Sequence, residues 1–203
     1  MEPQIFTLHN QILEAVLPEV AFPFVSDGKK HTIALVGGGG KTTLMYFLGD
    51  TYAKQNIPTL ITTTTHIRMP EDGSYVTTMA AACRRWDAQR YAVVGVPDQA
   101  GKLKALPGTE LHAYRKRAKQ ILVEADGAKM RPCKVPAEHE PVIPKECDIV
   151  IAVAGLDVFA AGRSPLFCRN RYYIASRKRI LCRFFYRNGG RENLWENGNI
   201  MWC

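Results

Sequence analysis

The chain has 203 residues, 46% hydrophobic and 23% charged, which excludes a disordered or collagen-like polymer and suits one domain, or one domain with an appendage. Its formal net charge of +8 comes from 27 basic and 19 acidic residues, but residues 166–203 hold 8 of the basic and 2 of the acidic ones, so the body has no excess that argues for nucleic acid. With no apolar run of roughly 18 residues and no basic, apolar leader, the sequence predicts a soluble, cytoplasmic protein with no membrane partner, and its six cysteines, none in a CxxC pair, read as reduced thiols.

In chain order, Ile5, Leu8, Ile12, Ala15 and Val16 repeat at helical spacing, which predicts an amphipathic helix over residues 3–22, ending near Pro18. A turn-rich connector closes this segment at residue 27. Thr32–Val36 is a short apolar, β-branched run and predicts a buried parallel strand. Four glycines follow, then a helix from about Lys41 to Gln55, closed by Asn56-Ile57-Pro58. Thr59–Thr65 reads as a second strand, Met69–Ser74 as a loop, and Met79–Ala88 as a helix. Tyr91–Val96 predicts a strand, and the turn at residues 97–102 suggests a hairpin over 91–106. Thr109 is predicted as the N-cap of a basic helix over 110–119. Ile121–Ala125 and Asp148–Ala154 predict two further core strands. Strands alternating with helices predict an α/β fold, a mainly parallel sheet with flanking helices of the P-loop NTPase type, over residues 28–165.

Residues 166–203 break that pattern. They carry three of six cysteines, two of three tryptophans and five asparagines, with Phe184, Phe185 and Tyr186 set among arginines. Two readings stay open: a basic aromatic arm that binds nucleic acid, or a segment read out of frame or left disordered. Under the second, the sheet is incomplete at its C-terminal end and exposes an unpaired, aggregation-prone edge.

The chemistry concentrates at Val36-Gly37-Gly38-Gly39-Gly40-Lys41-Thr42-Thr43, between a predicted strand and helix. Glycines allow backbone N–H groups to turn toward phosphate oxygens, and the helix N-terminus adds donors and dipole. Lys41 would reach the β- and γ-phosphates, Thr42 would ligate Mg²⁺ and Thr43 would contact the α-phosphate. In the common GxxxxGK[ST] spacing the first glycine would fall at Leu35, so xGGxGKTT fits better. The predicted strand Ile121–Val123 runs into Glu124-Ala125-Asp126-Gly127, and alternation puts both carboxylates on one side at the end where ligands bind in open α/β sheets. One would hold Mg²⁺, taken here as Asp126 with Thr42, and the other would orient an attacking water. Lys41, Glu124 and Asp126 are the catalytic candidates. Thr62–Thr65 and His66 end the second strand, and Lys134, Glu138, His139 and Glu140 lie in a proline-bracketed stretch. A second substrate is one reading of these polar residues, with Thr65, His66, Lys129, Glu138 and His139 as its candidates; solvated loops explain them as well. No second histidine stands at metal-ligand spacing from His139, and His9, His31 and His112 give no signal.

The pieces VGGGGKTTLMY (36–46), LITTTTHI (60–67), ILVEADGAKMRPCKVPAEHEPVIP (121–144) and DIVIAVAGLD (148–157) resemble the YqeC family, accessory proteins of selenium-dependent hydroxylases. The resemblance covers roughly residues 28–165. It implies a P-loop protein that binds Mg²⁺ with ATP or GTP and acts in maturation of selenium-dependent molybdenum hydroxylases. Its site would be Gly37–Thr43 with the block Glu124–Lys129, and its partners the hydroxylase or its cofactor-maturation machinery. No N-K-x-D motif is present, so the base is not legible. Three functions follow: an NTPase or phosphoryl or nucleotidyl transferase, a non-enzymatic nucleotide or cofactor carrier or scaffold, and a nucleic-acid binder acting through the tail.

Overall fold

A computed structural model describes residues 5–9, 12–70, 72, 74–98, 101–127, 141–155, 180–186 and 201–202. The elements are β1 (Phe6–His9), β2 (Ile12–Ala15), α1 (Pro18–Ala21), β3 (His31–Gly37), α2 (Lys41–Lys54), β4 (Thr59–Thr63), β5 (His66–Arg68), β6 (Tyr75–Val76), α3 (Met79–Asp87), β7 (Ala92–Val94), β8 (Val96–Asp98), β9 (Lys102–Lys104), α4 (Gly108–Arg117), β10 (Gln120–Glu124), β11 (Ile149–Gly155), β12 (Ile180–Tyr186) and β13 (Met201–Trp202).

The main sheet runs β2-β1-β13-β12-β11-β3-β10-β4-β7-β6. Its six strands from β11 to β6 are all parallel, with β3 between β11 and β10. Burial of every residue in β4 and β10 and of the first five in β3 suits strands covered on both faces. Alternation divides β10 between two layers. Leu122 packs with Ile33, Leu35, Ile61 and the α2 residues Leu44, Met45 and Leu48. Ile121 and Val123 face the opposite layer, with Leu60, Ala82 of α3 and Tyr114 of α4. Glu124 shares the parity of Leu122, so it emerges on the α2 side of the sheet.

An α/β fold with a mainly parallel sheet and flanking helices is therefore present, and the core elements fall close to their predicted spans. Four expectations are corrected. The described residues within 3–22 do not form one helix: Phe6–His9 and Ile12–Ala15 pair antiparallel, with Phe6 opposite Ala15 and Leu8 opposite Leu13, and the one-turn α1 follows. A three-and-four spacing over so short a stretch does not by itself fix a helix, and backbone pairing of β1 with β2 and with β13 decides for strands. Pro18 opens α1 in its first turn, where its missing N–H costs nothing. The strand expected over 91–96 divides at Gly95: β7 stays in the main sheet, while β8 joins β9 and β5 in a three-stranded sheet. Thr109 lies inside α4, which has Pro107 at its N-cap and no side-chain cap. Finally, β11 does not end the sheet, because β12 pairs antiparallel along all of Ile149–Gly155. Among the described residues no helix is long and apolar enough to cross a membrane.

Candidate functional site

The site forms where β3, β10 and β4 end. β3 delivers the chain into Gly37–Gly40, and α2 begins at Lys41. Gly37 has φ 99° and Gly40 φ 108°, backbone that a side chain resists. At Gly37 a Cβ would lie 2.2 Å from the Val153 carbonyl oxygen, so only glycine fits so close to β11. The N–H of Gly38 donates to that oxygen at 2.9 Å. Gly40 is the N-cap of α2; no side chain caps the helix and its first turn holds no acidic residue. The first N–H groups of α2 have no acceptor within the helix, which leaves an electropositive end.

Lys41 is only 3% exposed. Its ammonium donates to Gly37 O at 2.5 Å, lies 2.8 Å from Asp126 Oδ1 and 3.8 Å from Glu124 Oε1. The other Asp126 oxygen accepts from the Gly37 N–H at 2.8 Å. Thr42 Oγ1 donates to Glu124 Oε2 at 3.2 Å. The structure thus brings together five residues expected to act together: Gly37, Lys41, Thr42, Glu124 and Asp126. Burial, the largest influence, pushes the Glu124 carboxyl up to about 7, with Lys41 and Thr42 opposing the rise and Asp126 adding to it.

The strand ends hold this cluster in place. Thr63 Oγ1 and the Thr64 N–H donate to Glu124 O at 2.9 and 3.0 Å, and the Ala125 N–H donates to Leu35 O at 3.0 Å. Thr62 turns to the opposite layer, donating to Val94 O. The threonine run is therefore partly a brace. Sequence patterning did not single out the Thr63–Glu124 link or the part played by Val153, because both depend on which strands become neighbours.

Other candidates stand apart or undescribed. Thr43 is exposed. Thr65 contacts Thr63, its N–H donating to Thr63 Oγ1 at 3.0 Å. His66 lies on β5, half exposed, with Asp98 Oδ2 3.6 Å away; the small sheet carries it, not the cluster around Lys41. Lys129, Lys134, Glu138, His139 and Glu140 lie outside the described residues. Among the described residues no group of three His, Cys, Asp or Glu is arranged to hold a metal. Thr42, Glu124 and Asp126 nevertheless offer hard oxygens, the donors Mg²⁺ takes one or two at a time while substrate and water complete its shell.

The family model described as YqeC protein matches residues 33–167. The Escherichia coli (strain K12) protein described as "Uncharacterized protein YqeC" is 35% identical over 138 residues, 61% of this chain and 51% of its own length. This chain thus spans about half of that relative. No solved structure matches it. The glycine turn, Lys41 and the Glu124–Asp126 strand end all fall inside the matched span, which takes in more than half of the chain, and the chain belongs to the YqeC family.

Proposed function

We propose that this protein binds Mg-ATP or Mg-GTP on Gly37–Thr43 and hydrolyses it, as an accessory protein in the maturation of selenium-dependent molybdenum hydroxylases. The maturation role is carried over from the family resemblance. The nucleotide reading rests on one observation: a buried lysine at the N-terminus of α2, which no side chain caps, after a glycine turn, sits 2.8 Å from the Asp126 carboxylate just beyond the end of β10.

Gly37 O and Asp126 engage the Lys41 ammonium. Polyphosphate on the α2 N–H groups would draw Lys41 toward its oxygens. That movement strands two buried carboxylates without a cation, an arrangement too costly to persist. Thr42 and Asp126 would then hold Mg²⁺, which neutralises charge on the β- and γ-phosphates when bound. Glu124, with its carboxyl near neutrality, would take a proton from the attacking water. Lys41 and the loop N–H groups would stabilise charge on the transferring phosphoryl.

Lys41→Ala is expected to weaken Mg-nucleotide binding about a hundredfold, the loss of a charge-assisted contact of roughly 2–3 kcal/mol. Calorimetric titration checks this, and affinity equal to the parent's would end the reading. A second reading, a carrier that changes conformation without turnover, is favoured by the Lys41–Asp126 pair itself, which nucleotide must rearrange. Tight binding with no phosphate release, even beside a hydroxylase client, would select it.

A further inference from the structure

Thr42 and Thr43 line a second space. Between the outer face of α2 and the N-terminal segment lies a cavity of about 910 Å³ that begins at these two threonines and runs along the helix. Thr43, Tyr46, Phe47 and Asp50 line it at the three- and four-residue spacing that defines one helix face. Leu17 stands across from them, 68% exposed. The Tyr46 ring lies against Tyr91, centroids 5.7 Å apart and planes 11° from parallel. Tyr91 fits there because residue 49 is glycine: a Cβ would come within 2.9 Å of its ring. Tyr46 is thus held as a fixed wall of the cavity. Burial, above all, pushes the phenols of Tyr46 and Tyr91 upward, Tyr91 to about 12, so both rings stay neutral.

We propose that this groove receives the nucleoside of the nucleotide whose phosphates lie on Gly37–Thr43, with the ribose passing Thr43 and the base lodged between Phe47 and Leu17. The inference rests on the nucleotide reading above. Continuity is its first support, since the two threonines expected at the phosphates also open the groove. Spacing is the second: Phe47 follows Thr43 by four positions, about 6 Å along the axis, the reach of one sugar. Chemistry is the third. A base is a flat, apolar-faced ring system with a polar edge. The groove gives it aromatic and aliphatic walls with Asp50 farther along, and a volume within the roughly 300–1,000 Å³ of small-molecule sites.

The test compares tripolyphosphate, ATP and GTP, each with Mg²⁺, by calorimetric titration of the full chain. Parent, Phe47→Ala and Leu17→Ser are measured, and circular dichroism melts verify folding. The parent should bind one of the nucleotides at least about tenfold more tightly than tripolyphosphate. Phe47→Ala should erase that margin and Leu17→Ser should reduce it about threefold, with tripolyphosphate affinity unchanged in both. Leu17 is exposed, so its variant keeps the test valid if Phe47→Ala fails to fold. Nucleotide and tripolyphosphate of equal affinity in the parent, or variants with the parent's nucleotide affinity, would overturn the inference and leave the phosphate site standing. A Leu17→Ser protein that keeps its nucleotide affinity but changes sedimentation mass would show instead a contact between copies. Failure of the parent to bind tripolyphosphate at all would sink the nucleotide reading itself.

Discussion

Lys41 takes a full charge to a position 3% exposed, and only its partners make that tolerable. An unpaired buried ammonium would lose several kcal/mol of hydration; here Asp126 and the Gly37 carbonyl replace water. Glu124 has the weaker share of that cation, at 3.8 Å, and burial leaves its carboxyl at about 7. A group that must accept a proton works only when ionised, so hydrolysis at limiting substrate is expected to rise with pH through about 7 and level off above it. A pH profile of kcat/KM checks this, and Glu124→Gln should bind Mg-nucleotide yet lose about a hundredfold or more in turnover. Gly37→Ala carries a different cost. Its Cβ would lie 2.2 Å from Val153 O, at φ 99°, so β3 and β11 must part. A loss of about 2–3 kcal/mol is expected in urea denaturation. The lysine and both carboxylates are legible as residues, because their chemistry is carried by side-chain type and strand parity. The Gly37–Val153 approach is not legible, since nothing local says that β11 lies beside β3.

Elements meet at the opposite end of the sheet through His31, a residue without any sequence signal. Its Nδ1 pairs with Asp148 and its Nε2 with Asp27 at 2.8 Å. Asp148 also accepts from the Thr32 N–H at 2.7 Å, and Gln120 Oε1 accepts from the His31 N–H at 2.9 Å. Thus the starts of β3, β10 and β11 are tied together, which sets the register on which the distal cluster depends. Burial lowers the imidazolium pKa, but hydrogen bonds and charges from Asp148 and Asp27 outweigh it, and the net value is raised above 6.5. The stabilisation is therefore full below pH 6.5, the unfolded value, and is lost as pH rises through the higher folded value. His31→Asn should cost about 1–3 kcal/mol at pH 6, and should flatten the fall in melting temperature between pH 6 and 9. The N-terminal segment teaches the complementary point. Ile5, Leu8 and Ile12 fit a helical stripe, yet hairpin pairing and the β13 edge decide the outcome. Short apolar runs do not separate the two periods without knowledge of the neighbours.

For the whole molecule, β12 covers the β11 edge along seven residue pairs. A chain ended after residue 165 would expose that row of backbone donors and acceptors, beside the buried Ile149, Ile151 and Val153. Such edges recruit other strands, and light scattering is expected to show association that grows with concentration, whereas the full chain stays dispersed under the same conditions. A monodisperse truncated chain would mean that the edge is protected otherwise. By itself the sequence determined the α/β class, the strand–glycine–helix junction at Gly37–Lys41 and the carboxylates at 124 and 126. These depend on local periodicity, glycine's freedom and the order of elements. Tertiary structure alone decided that β10 lies next to β3, that Lys41 rests between Gly37 O and Asp126, that the N-terminal segment faces α2 across a groove and that β12 extends the sheet. Each is a contact between residues far apart in the chain, selected by which buried faces and backbone edges can satisfy one another.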